Sequence, residues 1–390
     1  MAGWFNTIAR GEVALVEEAE VLFEELPSGE GCWVGHARLN RPGSLNALSL
    51  VAIELLTERL GSWGGRENIA AVLLTGEGEK AFCAGGDVQA LYRAAVKNRD
   101  RGALVDDYPQ RFFSAEYRLN YMMHRFPKPL ICIGHGIVMG GGFGLFSASE
   151  FRIVTERSRL AFPEITIGLF PDAGGSWVLR QLPTSVAVFL GLTGSQVNAT
   201  DALSLHMATH CIAHDARQSC LGGIVNLDFR VGQHEANRLL LGDYLAPQRH
   251  LEGMPASELI ALSPEAVNLS TPGACVSSIC DLEGVSPWID RGISNLRKGC
   301  PMTAAIVFEQ LARVTTMTLA DAFRMELTIA CECLRRPDFV EGVRALLIDK
   351  DGTPNWTAER IEHIRAEDLD AHFQSSWAAH PLTDLEDLVW

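Results

Sequence analysis

The sequence has little of what a nucleic-acid-binding or membrane protein needs. Its 33 lysines and arginines are outnumbered by 48 acidic residues, for a net charge of −15, whereas nucleic acids and anionic membrane surfaces attract proteins rich in Lys and Arg. A membrane-spanning helix takes about 18 or more apolar residues in a row. The longest apolar run, over residues 129–144, is interrupted by His135 and several glycines. We therefore expect neither a nucleic acid nor a membrane as partner.

Paired cysteines are also missing, and the first residues do not identify a targeting signal. The ten cysteines are scattered and none forms a C-x-x-C pair, which in a chain this long predicts buried free thiols in a reducing compartment. There is no secretory signal. The first ten residues hold one Arg and no acid, too short and too poor in Arg to identify an organellar targeting peptide. An intracellular or organellar-matrix location is expected.

Several common catalytic and cofactor motifs are absent. G-x-G-x-x-G, the P-loop pattern and G-x-S-x-G do not occur, which disfavours dinucleotide binding, P-loop nucleotide binding and serine hydrolysis. His206 and His210 have i, i+4 spacing but lack the Glu of H-E-x-x-H and a third ligand, so we interpret them as helix-surface histidines and predict no metal. We interpret His135 and Cys83 as packed core residues rather than as a base and a nucleophile.

What is present indicates a folded α/β protein. Hydrophobic residues make up 47% of the chain and charged residues 21%, the balance of a globular protein. Three apolar runs have the length and β-branched content of buried strands, and two segments between them have helical spacing. Strands separated by helices predict an α/β fold with crossover connections. The predicted strands are Val72–Gly76, Leu130–Gly136 and Phe151–Thr155, and the predicted helices are Ser49–Leu60 and Ser114–Phe126.

From residue 213 onward, the composition of the chain and the predicted elements change. Glycine and proline punctuate residues 213–287, which predicts an extended connection with short helices. Two helices are predicted between Pro301 and Arg336 and a third over Phe339–Leu347, and the last 15 or so residues are predicted to form a loose tail. The predicted division is an α/β core over 13–212, a connecting region over 213–287 and a helical region over 288–373.

Two glycine clusters are the first candidates for chemistry. "CAGGDV" (Cys83–Val88) and "MGGGFG" (Met139–Gly144) each follow a predicted strand and open a helix. The unpaired N–H groups at such a corner favour developing negative charge, and the missing side chains let a ligand approach. A single cluster would more simply serve a tight turn or close packing. Two clusters after successive strands can form an oxyanion hole.

Two acids lie in the apolar stretch "FPEITIGLFPDAGG". Glu164 and Asp172 are eight residues apart, and a buried carboxylate is costly unless it is paired or neutralised. The loop between them can bring both to one pocket, as acid/base or nucleophilic chemistry requires. Two simpler alternatives are that Glu164 is a surface acid after Pro163 and that Asp172 caps a helix beginning at Ala173.

Taken together, these motifs resemble those of a known family. "LNRPGSLNALSL", "KAFCAGGDV", "HGIVMGGGFGL" and "FPEITIGLFPDAGG", in this order, are similar to the crotonase (enoyl-CoA hydratase/isomerase) superfamily. "AEYRLN", the "GLFPD" acid and "DFVEGVRALLIDKDGTPNW" resemble its 3-hydroxyisobutyryl-CoA hydrolase branch. The resemblance covers roughly residues 13–373 and is weakest over 213–287.

The resemblance implies a fold and a site. The fold would be a crotonase-like spiral of β-β-α units with a helical C-terminal region, holding a bent CoA thioester. The backbone N–H groups of Gly86 and Gly141 would receive the thioester carbonyl oxygen, and Glu116 would line the acyl pocket. Glu164 would be the principal catalytic carboxylate, and Asp172 would bind the substrate's hydroxyl end or assist proton transfer. No separate cofactor is implied, because CoA is part of the substrate.

One departure from the family pattern bears on the reaction. Hydratases of this superfamily carry a second catalytic Glu two positions after the glycine triplet, where this chain has Gly144. At the position of Asp172, these hydratases usually have Gly. Both differences favour hydrolysis of a short β-hydroxyacyl-CoA, such as 3-hydroxyisobutyryl-CoA in valine breakdown, over hydration. The alternatives are an isomerase or hydratase that uses Glu164 alone, and a CoA-binding or scaffold protein without turnover.

The sequence says less about how the CoA phosphates are bound, where the protein is located and whether it forms oligomers. Arg41 and Lys80 are candidates for binding the CoA phosphates, and either is equally well a solvated surface charge. The family implies the mitochondrial matrix, with the cytoplasm as the alternative. Superfamily members commonly form trimers or hexamers, but the divergent region after residue 213 leaves a homo-oligomer an open question.

Overall fold

The computed structural model describes residues 19–247 and 253–388. The first ten residues, to which the prediction on a targeting peptide applies, lie outside this part. The chain alternates short strands with helices up to residue 212, and the described residues after it form helices and loops without a strand. The strands are β1 Val21–Pro27, β2 Trp33–Leu39, β3 Ile69–Gly76, β4 Ala81–Cys83, β5 Leu130–Gly134, β6 Ile137–Met139, β7 Phe151–Thr155, β8 Arg159–Ala161, β9 Val197–Asn198 and β10 His210–Ile212.

Fifteen α-helices are found in the described residues. They are α1 Leu50–Gly65, α2 Val88–Arg101, α3 Tyr108–His124, α4 Gly141–Ser147, α5 Gly175–Leu179, α6 Thr184–Thr193, α7 Ala199–Ser204, α8 Arg217–Val225, α9 His234–Leu245, α10 Pro272–Cys280, α11 Pro287–Lys298, α12 Pro301–Val314, α13 Leu319–Arg335, α14 Pro337–Val343 and α15 Ala366–Asp370. A π-helical turn, Arg344–Ile348, follows α14, and a short 3₁₀ helix, Pro163–Ile167, follows β8.

From β3 to β8, successive strands belong alternately to two sheets. The six-stranded sheet has the order β1-β2-β3-β5-β7-β10 and the four-stranded sheet the order β4-β6-β8-β9. The pairs β3/β4, β5/β6 and β7/β8 each give one strand to each sheet, and a helical or 3₁₀ segment follows each pair. Apart from β1 with β2 and β8 with β9, neighbouring strands are parallel. This is a spiral of β-β-α units, so the predicted α/β fold is confirmed.

The predicted elements are present, with longer bounds in several cases. The three strand predictions correspond to β3, β5 and β7, and the two helix predictions to α1 and α3. Ser49 caps α1 by accepting a hydrogen bond from the N–H of Ala52. The two helices predicted between Pro301 and Arg336 are α12 and α13. Periodicity gave these elements correctly because each has one buried stripe or a continuous apolar run.

The core is continuous from the sheets into the C-terminal helices. One cluster of buried apolar side chains runs from Val21 in β1 to Leu385 near the end of the chain. A second, smaller cluster packs α8 and α9 on the six-stranded sheet. The described residues of the range 213–287 form short helices and loops, as predicted. The three-part division of the chain into 13–212, 213–287 and 288–373 stays a prediction.

Two sequence predictions are wrong. His206 and His210 do not share a helix, because α7 ends at Ser204, His206 has a φ of 55° and His210 begins β10. The segment from residue 376 to 388 is not loose. Leu382 is fully buried, and Arg118 binds both carboxylate oxygens of Asp384, at 2.9 and 2.6 Å. Sequence periodicity gave the wrong result in both places because the helix before His206 is short and the final segment buries only a few apolar residues.

Three further features of the described chain concern its cysteines, membrane-spanning helices and metal ligands. All ten cysteines lie in the described part and are free thiols, nine of them buried. None of the helices within residues 19–247 and 253–388 is long and apolar enough to cross a membrane. In the same residues no cluster of three or more His, Cys, Asp or Glu side chains is placed to hold a metal ion.

Candidate active site

All five residues predicted for the site line one cavity of about 160 Å³. They reach it from four separate parts of the chain, namely the loop before α2, the start of α4, helix α3 and the segment after β8. Apolar side chains complete the wall, and within the described part of the chain no Lys, Arg or His lines the cavity. The predicted residues are Gly86, Glu116, Gly141, Glu164 and Asp172, and the apolar ones include Leu91, Phe112, Phe113, Ile167, Leu169 and Leu346.

The first glycine corner is fixed by a short parallel bridge. The N–H of Leu48 donates to the carbonyl of Gly85 (2.8 Å), and the N–H of Asp87 donates to the carbonyl of Leu48 (2.7 Å). In parallel pairing the residues that flank a bridge make its hydrogen bonds. The N–H of Gly86 is therefore on the opposite side from Leu48, and it has no acceptor within the described residues.

The second corner lies against the first. Gly140 has a φ of 49°, in the region that favours glycine, and Gly141 is the first residue of α4. The N–H of Gly141 likewise has no acceptor in the described chain, as expected for the first turn of a helix. A Cβ atom at Gly85 would lie 3.7 Å from the nitrogen of Gly141. Two unpaired N–H groups thus adjoin one small cavity.

Glu164 lies next to these corners and is buried. It belongs to the 3₁₀ helix Pro163–Ile167 and is 4% exposed. A Cβ atom at Gly140 would be 3.3 Å from its Oε1, and its Oε2 has no hydrogen-bond partner in the described residues. Burial, and then the charge of Asp172, raises the pKa of Glu164 well above its usual value. The alternative that Glu164 is a surface acid is wrong.

Asp172 reaches the same cavity and does not cap a helix. The hydroxyl of Tyr117 donates a hydrogen bond of 2.7 Å to its Oδ2. Helix α5 begins at Gly175, with Gly174 as its cap and no side-chain capping bond. Burial raises the pKa of Asp172 to about 6, against the lowering effect of the Tyr117 hydroxyl. The helix-cap alternative is therefore wrong.

Glu116 provides a third carboxyl group. It is 2% exposed, and its Oε1 has no hydrogen-bond partner in the described chain. That oxygen occupies the space beside Gly141 where any Cβ would have to go. Burial, and then the charges of Asp172 and Glu326, raises its pKa well above the usual value. Like charges in one low-dielectric site disfavour each other's ionisation, so the charge of Asp172 makes Glu116 and Glu164 harder to ionise.

A fourth buried acid, Glu326 in α13, was missed from the sequence. It accepts hydrogen bonds from the N–H groups of Gly174 (2.8 Å) and Ser176 (3.1 Å) and from the Ser176 hydroxyl. Burial raises its pKa to about 8. The available signal was an acid in "FRMELTIAC", where the buried stripe of a long helix should be apolar. Tyr117 was missed too, since a tyrosine in an apolar helix face usually indicates packing.

The structure also explains why Gly144 is a glycine. A Cβ atom there would lie 2.7 Å from Nδ2 of Asn120 and 2.8 Å from the carbonyl oxygen of Ala173. Asn120 is fully buried and donates to that same carbonyl at 3.3 Å. The second catalytic Glu of hydratases, at this position, does not fit this backbone without rearrangement.

The remaining candidates lie outside the cavity wall. Arg41 donates to the carbonyl of Ala47 (2.9 Å) and lies 3.6 Å from Asp87, and Lys80 is exposed. Their role toward CoA phosphates stays a prediction. His135 is buried and hydrogen-bonded to the Gly78 carbonyl at 2.9 Å. Cys83 is buried and burial raises its pKa to about 12, so its interpretation and that of His135 as core residues are confirmed.

Comparisons with known proteins agree with this geometry. The chain matches the family model described as enoyl-CoA hydratase/isomerase over residues 34–373. It is 33% identical to the mitochondrial 3-hydroxyisobutyryl-CoA hydrolase of Danio rerio over 92% of this chain and 90% of the relative. It is 34% identical to the mitochondrial enzyme of the same name from Rattus norvegicus over 95% of both chains.

Solved structures show the same architecture. A carnitinyl-CoA dehydratase from Mycobacterium thermoresistibile superposes with a TM-score of 0.79 at 29% identity, over 92% of this chain and 97% of its own. An enoyl-CoA hydratase from Rhodobacter sphaeroides gives a TM-score of 0.77 at 28% identity, over 91% and 97%. With its spiral of β-β-α units and its two glycine corners, this chain has the crotonase fold and belongs to the enoyl-CoA hydratase/isomerase family.

Proposed function

We propose that the protein hydrolyses short β-hydroxyacyl-CoA thioesters, with 3-hydroxyisobutyryl-CoA as the preferred substrate. The observation that carries this proposal is the convergence of a buried carboxyl group, Glu164, with two unpaired backbone N–H groups, those of Gly86 and Gly141, on one small cavity. The names of the relatives, which are about one third identical over most of their length, support the choice of substrate.

The two N–H groups would form the oxyanion hole. As the thioester carbonyl carbon becomes tetrahedral, its oxygen gains negative charge, and donors already in place stabilise it without reorganisation. Each such donor typically contributes about a hundred- to thousandfold in rate. The apolar wall around these glycines keeps the local dielectric low, which strengthens the interaction.

Glu164 would act on the carbonyl carbon by one of two routes. As a general base it takes a proton from water while the water oxygen attacks; the C–S bond then breaks and the CoA thiolate recovers the proton. As a nucleophile its carboxylate oxygen forms a mixed anhydride as the thiolate leaves, and water then hydrolyses the anhydride. Its raised pKa makes the ionised form a stronger base than an exposed glutamate.

The other acids would recognise the acyl group. Glu116 and Asp172 line the cavity together with apolar side chains. Carboxyl groups accept hydrogen bonds from an alcohol and, in the protonated form, also donate one, which suits an acyl group with a hydroxyl. A cavity of about 160 Å³ suits a short acyl chain. Asp172 would bind the hydroxyl group or assist proton transfer.

The packing at Gly144 argues against ordinary hydration. Addition of water across a double bond in this superfamily normally uses two glutamates, and the second has no space here. The relatives' names place hydrolases of this type in mitochondria, so we propose a role in valine breakdown in the mitochondrial matrix. A homo-oligomer stays a prediction.

A second enzymatic candidate has one observation in its favour. The two solved structures described above are a dehydratase and a hydratase. An isomerase or hydratase that uses Glu164 alone would leave the thioester intact. A binding or scaffold protein would turn nothing over.

A panel of acyl-CoA thioesters tests these candidates together. The panel includes 3-hydroxyisobutyryl-, 3-hydroxypropionyl- and crotonyl-CoA, with released CoA measured by thiol titration and residual thioester by chromatography. Hydrolysis predicts release of free CoA, fastest with the β-hydroxyacyl substrates. Conversion of an enoyl thioester without release of CoA would instead show the second candidate.

A further inference from the structure

The loop that carries Asp172 is held by a carboxyl group from the C-terminal helical region. Glu326 lies in the middle of α13 and is fully buried. Its three hydrogen-bond donors, the N–H of Gly174 and the N–H and hydroxyl of Ser176, all come within four residues of Asp172. A buried carboxylate that receives three donors from one short loop fixes the position of that loop.

The loop needs such support because its backbone is strained. Ala173 has a φ of 53°, a conformation that L-residues rarely adopt, and Gly174 follows with a φ of 87°. Strained conformations of this kind persist where the surroundings determine them. Two further side chains assist. Asn120 donates to the carbonyl of Ala173 at 3.3 Å and Gln310 to that of Pro171 at 2.8 Å.

The same helix also supports the side chain that binds Asp172. Phe323 lies one turn before Glu326 in α13, and its ring centroid is 5.8 Å from that of Tyr117. A Cβ atom at Gly174 would lie 3.3 Å from the Phe323 ring. Helix α13 therefore contacts the backbone that follows Asp172 and the tyrosine whose hydroxyl binds its carboxyl group.

We propose that Glu326 is a positioning residue, which holds the Asp172 carboxyl at the cavity wall by binding Gly174 and Ser176. The inference rests on the proposed function, because it gives Glu326 a role in a reaction in which Asp172 takes part. Glutamine at this position is isosteric but presents an NH₂ group to one or more N–H or O–H donors. At least one bond is then lost and a buried donor is left unpaired.

A double-mutant comparison separates positioning from general structural damage. We expect Glu326→Gln to lower kcat for 3-hydroxyisobutyryl-CoA about ten- to hundredfold in the wild-type background and by less than about twofold in an Asp172→Asn background. The matched control is Glu332→Gln on the same helix, whose partners are Arg335 and Arg336. It should change kcat by less than about twofold. Equal factors for Glu326→Gln in the two backgrounds would overturn the proposal.

Hydrogen exchange gives a readout that does not depend on activity. Amides over residues 168–180 should exchange faster in Glu326→Gln than in Glu332→Gln. Unchanged exchange overturns the positioning role even if activity falls. If the wild-type protein releases CoA from no thioester, the proposed function fails, while the exchange result still decides whether Glu326 holds the loop.

A milder variant covers the case in which Glu326→Gln does not fold. Ser176→Ala removes one of the three donors and leaves both backbone bonds in place. We expect a decrease in kcat of about two- to fivefold in the wild-type background and none in Asp172→Asn. An equal decrease in both backgrounds contradicts the proposal.

Discussion

The hydroxyl of Tyr117 donates a 2.7 Å hydrogen bond to Oδ2 of Asp172, and both groups are buried. Burial raises the pKa of Asp172 to about 6, and this bond opposes the rise by favouring the ionised form. Tyr117 thus favours the ionised form of the acid that shares the cavity with Glu164.

Removal of that hydroxyl should move the pH dependence of activity upward. Tyr117→Phe keeps the packed ring and deletes the donor, so the pKa of Asp172 rises further. We expect the limb of the kcat–pH profile near pH 6 to shift to higher pH by about one unit. Tyr121→Phe, on the same helix, is the control and should leave the limb in place. A profile of Tyr117→Phe that matches the wild type would contradict the coupling.

Neutralising Asp172 should stabilise the folded protein at alkaline pH. Its folded pKa of about 6 lies above the ordinary Asp value, so its contribution to stability is present below that ordinary value and is lost as the pH rises through 6. Asp172→Asn should therefore gain about 2–3 kcal/mol over the wild type at pH 8, and the gain should shrink toward pH 4. Urea unfolding at both pH values measures it. If Asp172→Asn were equally destabilised at both pH values, the predicted direction of the pH dependence would be wrong.

Adding one methyl group at Gly144 should be destabilising. The new Cβ would lie within 2.9 Å of Asn120 and of both the carbonyl and the Cβ of Ala173, and overpacking of this kind costs about 1–3 kcal/mol. Gly61→Ala is the control, because a Cβ there meets nothing within 4 Å inside α1, and it should be neutral or stabilising. Thermal unfolding compares them. Equal stability of the two variants would show that the Gly144 site relaxes freely.

The acids of the cavity should exclude acyl groups that carry a charge of their own. Methylmalonyl-CoA has the branching of 3-hydroxyisobutyryl-CoA with a carboxylate in place of CH₂OH. The described cavity wall offers it no cation, and an unpaired buried carboxylate is expensive. We expect its kcat/KM to be at least about a hundredfold lower. Isobutyryl-CoA, neutral and without the hydroxyl, is the control. Methylmalonyl-CoA hydrolysis within tenfold of the hydroxy substrate would contradict this account of specificity.

The sequence predicted the parts of the site that have a local signature. The glycine corners at Gly86 and Gly141 stand out because two glycine clusters follow successive strands and each opens a helix. Glu164 and Asp172 stand out because acids are rare in apolar stretches. Pattern alone could not show that the two acids and Glu116 converge, and the family resemblance supplied that expectation.

The missed features depend on contacts distant in sequence. Glu326 binds Ser176 across 150 residues, and no periodicity reports such a pairing. His206 and His210 have helical spacing, but α7 stops before them because β10 pairs with β7. The segment 376–388 lacks a long apolar run, yet its Leu382 and Leu385 are fully buried and Arg118 binds its Asp384.

The account depends most on Glu164, and one comparison tests it directly. Wild-type protein, Glu164→Gln and the surface control Glu54→Gln, on the exposed face of α1, are assayed for release of CoA from 3-hydroxyisobutyryl-CoA. We expect Glu54→Gln to match the wild type. We expect Glu164→Gln to lower kcat about a hundred- to ten-thousandfold. A folded Glu164→Gln variant with activity within a few-fold of the wild type would contradict the proposed mechanism.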